Sequence, residues 1–285
     1  MTTIDITPQE IQSGKIAPEH LQRAVHALQE DGYVILNDVV ERSHAAVLAE
    51  KMITDVEFIL QRKDVPFNFN RGNIQQDPPP FPPYLFRDVL VNDIVIAITY
   101  AILGPGLKNA FYSGNTALPK QGGRQPVHAD MGQLWHNLPV ATPPYALVVN
   151  VLPVDVSPHN GSTEIWPGTH LDTSLAIQGG DIKVPEEKLA ERRKVTPGFQ
   201  YSARAGSVVI RDIRLWHAGM PNHSDTPRPM IAMIHYVSWW SDLQPLIFPK
   251  GTESFFEHPL LTTVAKFVDG EVDYLTRNQA FDFMK

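Results

Sequence analysis

After Gly106 the sequence changes period, and nothing else in it constrains the fold as much. Upstream, apolar residues recur at helical spacing. Leu21, Ala24, Val25 and Leu28 precede Gly32; Leu48, Met52, Val56 and Ile59 follow Ser43, a candidate N-cap for a helix to about Gln61. A third helical stretch runs from Asp93 to Leu103 and stops at Gly104-Pro105-Gly106. Downstream, short β-type runs at 108–115, 145–152, 207–212 and 230–237 alternate with turn signals. Tyr145 to Leu152 is apolar except for Asn150, the pattern of a strand packed on both faces. Helices first and strands after predict a mainly β fold with flanking helices, a double-stranded β-helix (jelly roll, cupin-like). No internal repeat or linker divides the chain, so a single domain is expected over 1–285. Its parts are a polar N-terminal arm (1–16), a mostly helical support with a lid loop (17–106), a core (107–240) with an insertion at 171–205, and a C-terminal extension (241–285).

Two stretches interrupt this plan. Residues 64–92 are rich in Asn and Gln and then carry five prolines among positions 78–83, which forbids a helix or a central strand there. A surface connection and a lid over a pocket both fit. In the insertion, Glu186, Glu187, Lys188, Glu191, Arg192, Arg193 and Lys194 crowd together as on a solvated helix face.

Composition narrows the chemistry. With no cysteine, disulfides, thiolate metal sites and Cys nucleophiles are excluded. A net charge of −7 without a basic block argues against nucleic acid and anionic membranes as partners. The first residues lack a signal-peptide pattern and no run approaches the roughly 18 apolar residues of a membrane span. A cytoplasmic protein acting on a small molecule is expected; the sequence leaves homo-oligomerisation open.

The chemistry that remains centres on His128-Ala129-Asp130. A second histidine, His217, follows 89 positions later behind the run Gly206–Asp212, and Arg228 comes 11 after that. In a strand, residues i and i+2 share a face, so His128 and Asp130 can point together into a barrel. Two imidazoles and one carboxylate suit non-haem Fe(II) with coordination positions left open for a 2-oxo acid and O2. A dicarboxylate chelating through one end needs a cation at the other, and Arg228 supplies a planar fork. The bland alternative makes both histidines satisfied core residues and Arg228 a surface ion-pair partner, which leaves the spacing unexplained.

The stretches Gln125–Asp130, Asn160–His170, Gly206–Asp212 leading to Trp216-His217, and Arg228-Pro229 resemble the phytanoyl-CoA dioxygenase family over about residues 18–240. Gln75–Pro79 and Tyr112–Asn115 resemble a narrower branch that includes kanamycin B dioxygenase, an aminoglycoside-tailoring enzyme. The resemblance implies a jelly-roll oxygenase using Fe(II), 2-oxoglutarate and O2. It implies His128, Asp130 and His217 as metal ligands and catalytic centre, with Arg228 on the distal carboxylate of 2-oxoglutarate. It also implies cosubstrate contacts from Thr163 and Gln125. Asn150 is a further candidate cosubstrate contact, at a spacing where the phytanoyl-CoA enzyme has Trp; Gly219 stands where that enzyme has Ser, so one cosubstrate hydrogen bond is expected to be missing. The intact Asp130 disfavours halogenation, since halogenating relatives lose the carboxylate.

For the substrate, the same resemblance points to Gln75, Gln76, Asp77 and Asn115 beneath the proline-rich loop, and Trp135 is the aromatic expected to line the site. Only Lys120 and Arg124 could receive CoA phosphates, so a small or medium-sized metabolite, of the kind met in secondary metabolism, fits better. The expected reaction converts 2-oxoglutarate to succinate and CO2 while an unactivated C–H bond is oxidised, most simply to a hydroxyl. The competing classes are a jelly-roll metal-dependent hydrolase or isomerase, in which Arg228 would lack a role, and a non-catalytic metal- or ligand-binding module.

Overall fold

The computed structural model describes residues 2–176 and 182–281. In chain order the elements are β1 (Thr3–Asp5), α1 (Pro8–Ser13), α2 (Pro18–Glu30), β2 (Tyr33–Asn37), α3 (Arg42–Leu60), β3 (Phe67–Asn68), β4 (Asn70–Gln75), α4 (Arg87–Leu90), α5 (Asp93–Leu103) and β5 (Leu107–Ala117). They continue with β6 (Ala146–Val151), β7 (Glu164–Ile165), α6 (Glu186–Val195), β8 (Phe199–Gln200), β9 (Val208–Asp212), β10 (His217–Ala218), β11 (Arg228–Tyr236), β12 (Leu246–Pro249), β13 (Leu261–Thr263) and β14 (Ala265–Val268).

The fold is the expected jelly roll. A large sheet runs β1-β2-β9-β6-β11-β5-β4-β3, with β13 added alongside β5, and a small sheet runs β10-β7-β8. Alternation along the strands separates two environments. On β11, Ile231 and Met233 pack into the main core with α2 and α5, whereas Arg228, Met230, Ala232, Ile234 and Tyr236 face a cavity between the sheets. Every residue of β6 is buried, as its apolar run requires. Gly114 permits the close pairing of β5 with β11, because a Cβ there would lie 2.0 Å from the Met230 carbonyl oxygen.

The structure corrects several expectations. The described part of the expected arm, residues 2–16, is docked on the fold: β1 pairs in parallel with β2, and α1 is closed by a capping box between Thr7 and Glu10. Burial would raise the Glu10 carboxyl, but hydrogen bonds from the Ala17 and Thr7 N–H groups hold it at about 2. The N-cap of α3 is Glu41 rather than Ser43. The Asn-rich part of the expected lid loop is β3 and β4, with β4 paired to β5, and the proline run at 78–83 follows this strand. The charged stretch does form α6, with only Leu189 buried, while residues 177–181 of that insertion lie outside the described residues. No helix among the described residues is long and apolar enough to cross a membrane.

Candidate metal and carboxylate site

His128 and His217 meet as an antiparallel pair at the edge of the small sheet. Each backbone N–H donates to the other residue's carbonyl, at 3.0 and 2.8 Å. The Nδ1–H of His128 donates to the Pro126 carbonyl at 2.9 Å and that of His217 to the Leu215 carbonyl at 3.0 Å. A carbonyl can only accept, so the proton sits on Nδ1 and both Nε2 lone pairs are free. Asp130 Oδ1 lies 3.5 Å from His217 Nε2, and the three candidate ligand atoms all fall within 4.8 Å of one another. The expected sharing of a face by His128 and Asp130 holds although the segment makes only isolated bridges, with Ala129 turned into a separate apolar cluster.

The electrostatics suit a cation. Burial, reinforced by His217, pushes the His128 imidazole down to about 3, so it is neutral as a metal ligand must be. Burial alone would raise the Asp130 carboxyl, but Arg211, His217 and His128 hold it well below the usual carboxylate range. Arg211, on β9, donates from Nη2 to Asp130 Oδ2 at 2.6 Å and from Nε to Asn150 Oδ1, on β6, at 3.2 Å. Directly beneath, Arg214 and Asp212 form a buried two-point pair (2.8 and 2.7 Å), and Arg214 Nη1 reaches Gln133 and the Thr142 carbonyl. That pair anchors the loop that follows Asp130.

Arg228 opens β11 and is 2% exposed. Its Nη2 donates to the Gly161 carbonyl at 2.6 Å, while its Nε has no partner. No ion-pair partner is found for it among the described residues. Burial lowers its pKa, opposed by the neighbouring Tyr201. A buried guanidinium with a spare donor is a receptor for an anion.

These groups share one cavity of about 700 Å³. His128, Asp130, His217, Arg228, Thr163, Asn150, Gln125, Gln75, Asp77 and Asn115 all line it. Thr163 neighbours Tyr201, and burial pushes the Tyr201 hydroxyl up. The amide of Gln125 is committed to the backbone, accepting from Gly219 N–H at 2.7 Å and donating to the Asn68 carbonyl at 3.2 Å. Gly219 is thereby accounted for, since a Cβ there would sit 2.6 Å from Gln125 Oε1 and 2.8 Å from Asn73 Nδ2. Two expected substrate residues are elsewhere. Gln76 is fully buried between Met52 and Thr116, which use its amide at 2.7 and 2.6 Å. Trp135 is 58% exposed and does not line the cavity.

Other cavity residues were not singled out by the sequence. Arg211 carries a signal, a charge directly after the apolar run Val208–Ile210, but the sequence shows no partner for it. Asn68 and Ser113 lie in stretches the sequence marks without being picked out individually, and Arg277 and Phe281 carry no signal. Arg277 brings the C-terminal segment to Asp77, whose carboxylate also accepts from the Ser113 hydroxyl. Ser113 in turn accepts from Gln75 Nε2 (2.7 Å), and Gln75 Oε1 accepts from Asn68 Nδ2 (3.1 Å). A carboxylate can only accept, so the direction of this whole relay is fixed, and Asn68 Oδ1 is left as an unpartnered acceptor.

A jelly roll with two histidines, one carboxylate and a buried arginine around one cavity belongs to the class of iron- and 2-oxoglutarate-dependent enzymes. The chain is a member of the phytanoyl-CoA dioxygenase (PhyH) family, whose sequence model matches residues 28–230. The family works with Fe(II), 2-oxoglutarate and O2, and His128, Asp130 and His217 can hold the metal. Among solved structures, the fold resembles AviO1 from Streptomyces viridochromogenes Tue57 (TM-score 0.58, 20% identity, 80% of this chain and all of that one). It also resembles SnoN, a non-heme alpha-ketoglutarate-dependent epimerase from nogalamycin biosynthesis (TM-score 0.53, 18% identity, 78% of this chain and 84% of that one). SnoN has also been solved with Fe3+, alpha-ketoglutarate and a nogalamycin compound.

Proposed function

We propose that this protein is an Fe(II)- and 2-oxoglutarate-dependent dioxygenase that hydroxylates an unactivated C–H bond of a small or medium-sized metabolite, in secondary metabolism. The observation that carries this reading is Arg228, a buried cation without a counter-ion among the described residues, in the same cavity as His128, Asp130 and His217. A hydrolase would need the metal site but not this receptor for a second carboxylate.

His128 and His217 would hold iron through Nε2 and Asp130 through Oδ1. When bound, the iron with 2-oxoglutarate and O2 supplies an oxidant strong enough for an unactivated C–H bond, giving succinate and CO2. The chain's own residues do the rest. Arg228 orients the cosubstrate by its distal carboxylate, and Thr163 and Tyr201 border that end. Phe69 packs on the His128 ring with centroids 4.5 Å apart, and Phe281 packs edge-on against Phe69 at 5.2 Å, so aromatic rings shield the metal side from bulk water. Asp130, being present, occupies the position that a halide would need.

The cavity wall around Asp77 supports a substrate rich in donors. Its unmet polar atoms include Asn68 Oδ1, Asn115 Oδ1 and the Tyr112 hydroxyl, with the Asp77 carboxylate beside them. Hydroxyl or amino groups on an otherwise apolar body would satisfy this wall. The likeness to SnoN, an epimerase by name, makes product mass the arbiter: hydroxylation adds one oxygen to the substrate and epimerisation adds none.

The test is succinate formation from 2-oxoglutarate with Fe(II), ascorbate and O2, followed by a product screen against hydroxylated and aminated natural products. Turnover by the wild type that is lost in His217→Ala and strongly reduced in Arg228→Ala is expected. Equal turnover in all three would refute the assignment.

A further inference from the structure

Among the described residues that line the cavity, three buried N–H donors have no acceptor: Arg228 Nε, Arg211 Nη1 and Asn150 Nδ2. The first belongs to the carboxylate receptor described above. The other two form a pair of their own. Arg211 and Asn150 stand on neighbouring strands, β9 and β6, both line the cavity with Asp130, and both are at least 95% buried. Because a guanidinium can only donate, its Nε bond to Asn150 Oδ1 fixes the amide orientation and leaves Nδ2 as the free donor.

A cation in this place is at odds with metal binding alone. It competes for Asp130 Oδ2 and repels a dication held by the same carboxylate. A purely structural ion pair would account for Nη2 but would leave Nη1 unsatisfied where a missing hydrogen bond is costly. An anion arriving beside the metal removes both difficulties, since it neutralises the excess charge and accepts from the two idle donors.

We propose that Arg211 Nη1 and Asn150 Nδ2 form a second anion-binding point that receives the metal-side carboxylate of a 2-oxo acid, a role that rests on the 2-oxoglutarate reading above. The pocket then offers a guanidinium to each end of the dicarboxylate, Arg228 at the distal end and Arg211 at the end near Asp130. Holding Asp130 by Oδ2, Arg211 also leaves only Oδ1 for the metal.

The experiment uses the full chain loaded anaerobically with Fe(II) and titrated with two probes, 2-oxoglutarate and 2-oxopentanoate, which keeps the 2-oxo acid head but lacks the distal carboxylate. Metal affinity is measured separately with Co(II). Arg211→Met is expected to weaken both acids by the same factor, about tenfold or more for a lost charged hydrogen bond, with Co(II) bound at least as tightly as by the wild type. Arg228→Ala should instead weaken 2-oxoglutarate only, to the level of 2-oxopentanoate. Arg211→Lys, which keeps the charge but not the fork, and Asn150→Ala should lose part of the affinity for both acids. Unchanged binding of both acids in Arg211→Met would overturn the proposal. So would a fall of Co(II) affinity in step with acid affinity, the mark of mere support for Asp130. Should Arg211→Met fail to fold, unchanged acid binding in both Arg211→Lys and Asn150→Ala would overturn it. Failure of the wild type to bind either acid would sink the 2-oxoglutarate assignment and this subsite together.

Discussion

At Asp130 two neighbours contend for one carboxylate, a metal on Oδ1 and Arg211 on Oδ2, and much of the site follows from the side chains that settle the contest. Arg214 and Asp212, 2% and 1% exposed at their side chains, fix the loop beneath. Arg214→Ala strands a buried carboxylate, so urea unfolding should show a loss of about 3–5 kcal/mol. Gly219→Ser should not restore the cosubstrate hydrogen bond expected from the family pattern. Its Cβ would displace the Gln125 amide from Gly219 N–H, so a stability loss of about 1–3 kcal/mol with no gain in 2-oxoglutarate affinity is expected in thermal melts and calorimetry. His128, Asp130, His217 and Arg228 are legible as candidates because their residue types and order suit a metal and a carboxylate, and the structure brings the four to one cavity. Gln75 and Gln76 were not separable, since adjacent strand residues point to opposite faces and only the pairing of Gln75 with Asn115 decides which meets the cavity. The structure turns Trp135 to the surface, since proximity in sequence to Asp130 says nothing of direction: Gln133 bridges to Ala176, and Trp135 beyond it is exposed.

Among the elements, the strands of the core were readable from alternation and the helices from spacing, within a residue or two. The β3–β4 hairpin was not, because Asn and Gly have low strand propensity and β4 owes its extended form to pairing with β5. The C-terminal segment gave no signal at all, yet it completes the cavity. Tyr274 donates to Asp55 of α3 at 2.9 Å, Arg62 holds the Leu275 and Asn278 carbonyls at 2.8 and 2.9 Å, and Phe281 exchanges backbone bonds with Phe67 and Phe69. Arg277 is the only cation paired with Asp77 among the described residues. Arg277→Glu places two carboxylates together, so limited proteolysis should cut the segment after Val268 faster than in the wild type, with Co(II) affinity unchanged.

For the whole molecule, buried histidines predict weak acid tolerance. Burial, with His258 nearby, pushes His235 down to about 3, where its Nδ1 meets Thr99 Oγ1 of α5 at 2.9 Å. Above the ordinary value of 6.5 both folded and unfolded forms are neutral; between 6.5 and about 3 only the unfolded chain takes the proton. Stability is therefore present above 6.5 and drains away as pH falls toward 3, by up to about 1.4 kcal/mol per pH unit for this group. Unfolding of His235→Gln across that range should show a shallower pH slope by one proton. The larger claim is that both sheets converge on one reaction site, the small one giving His217 and the large one Arg211 and Arg228. Anaerobic titration of the Fe(II)-loaded chain with 2-oxoglutarate, read by the charge-transfer absorption of the chelate, tests it most directly. A saturable band is expected in the wild type, none in His217→Ala, and a dissociation constant raised about tenfold or more in Arg228→Ala. A wild type without the band, or an Arg228→Ala variant that binds as tightly, would contradict it.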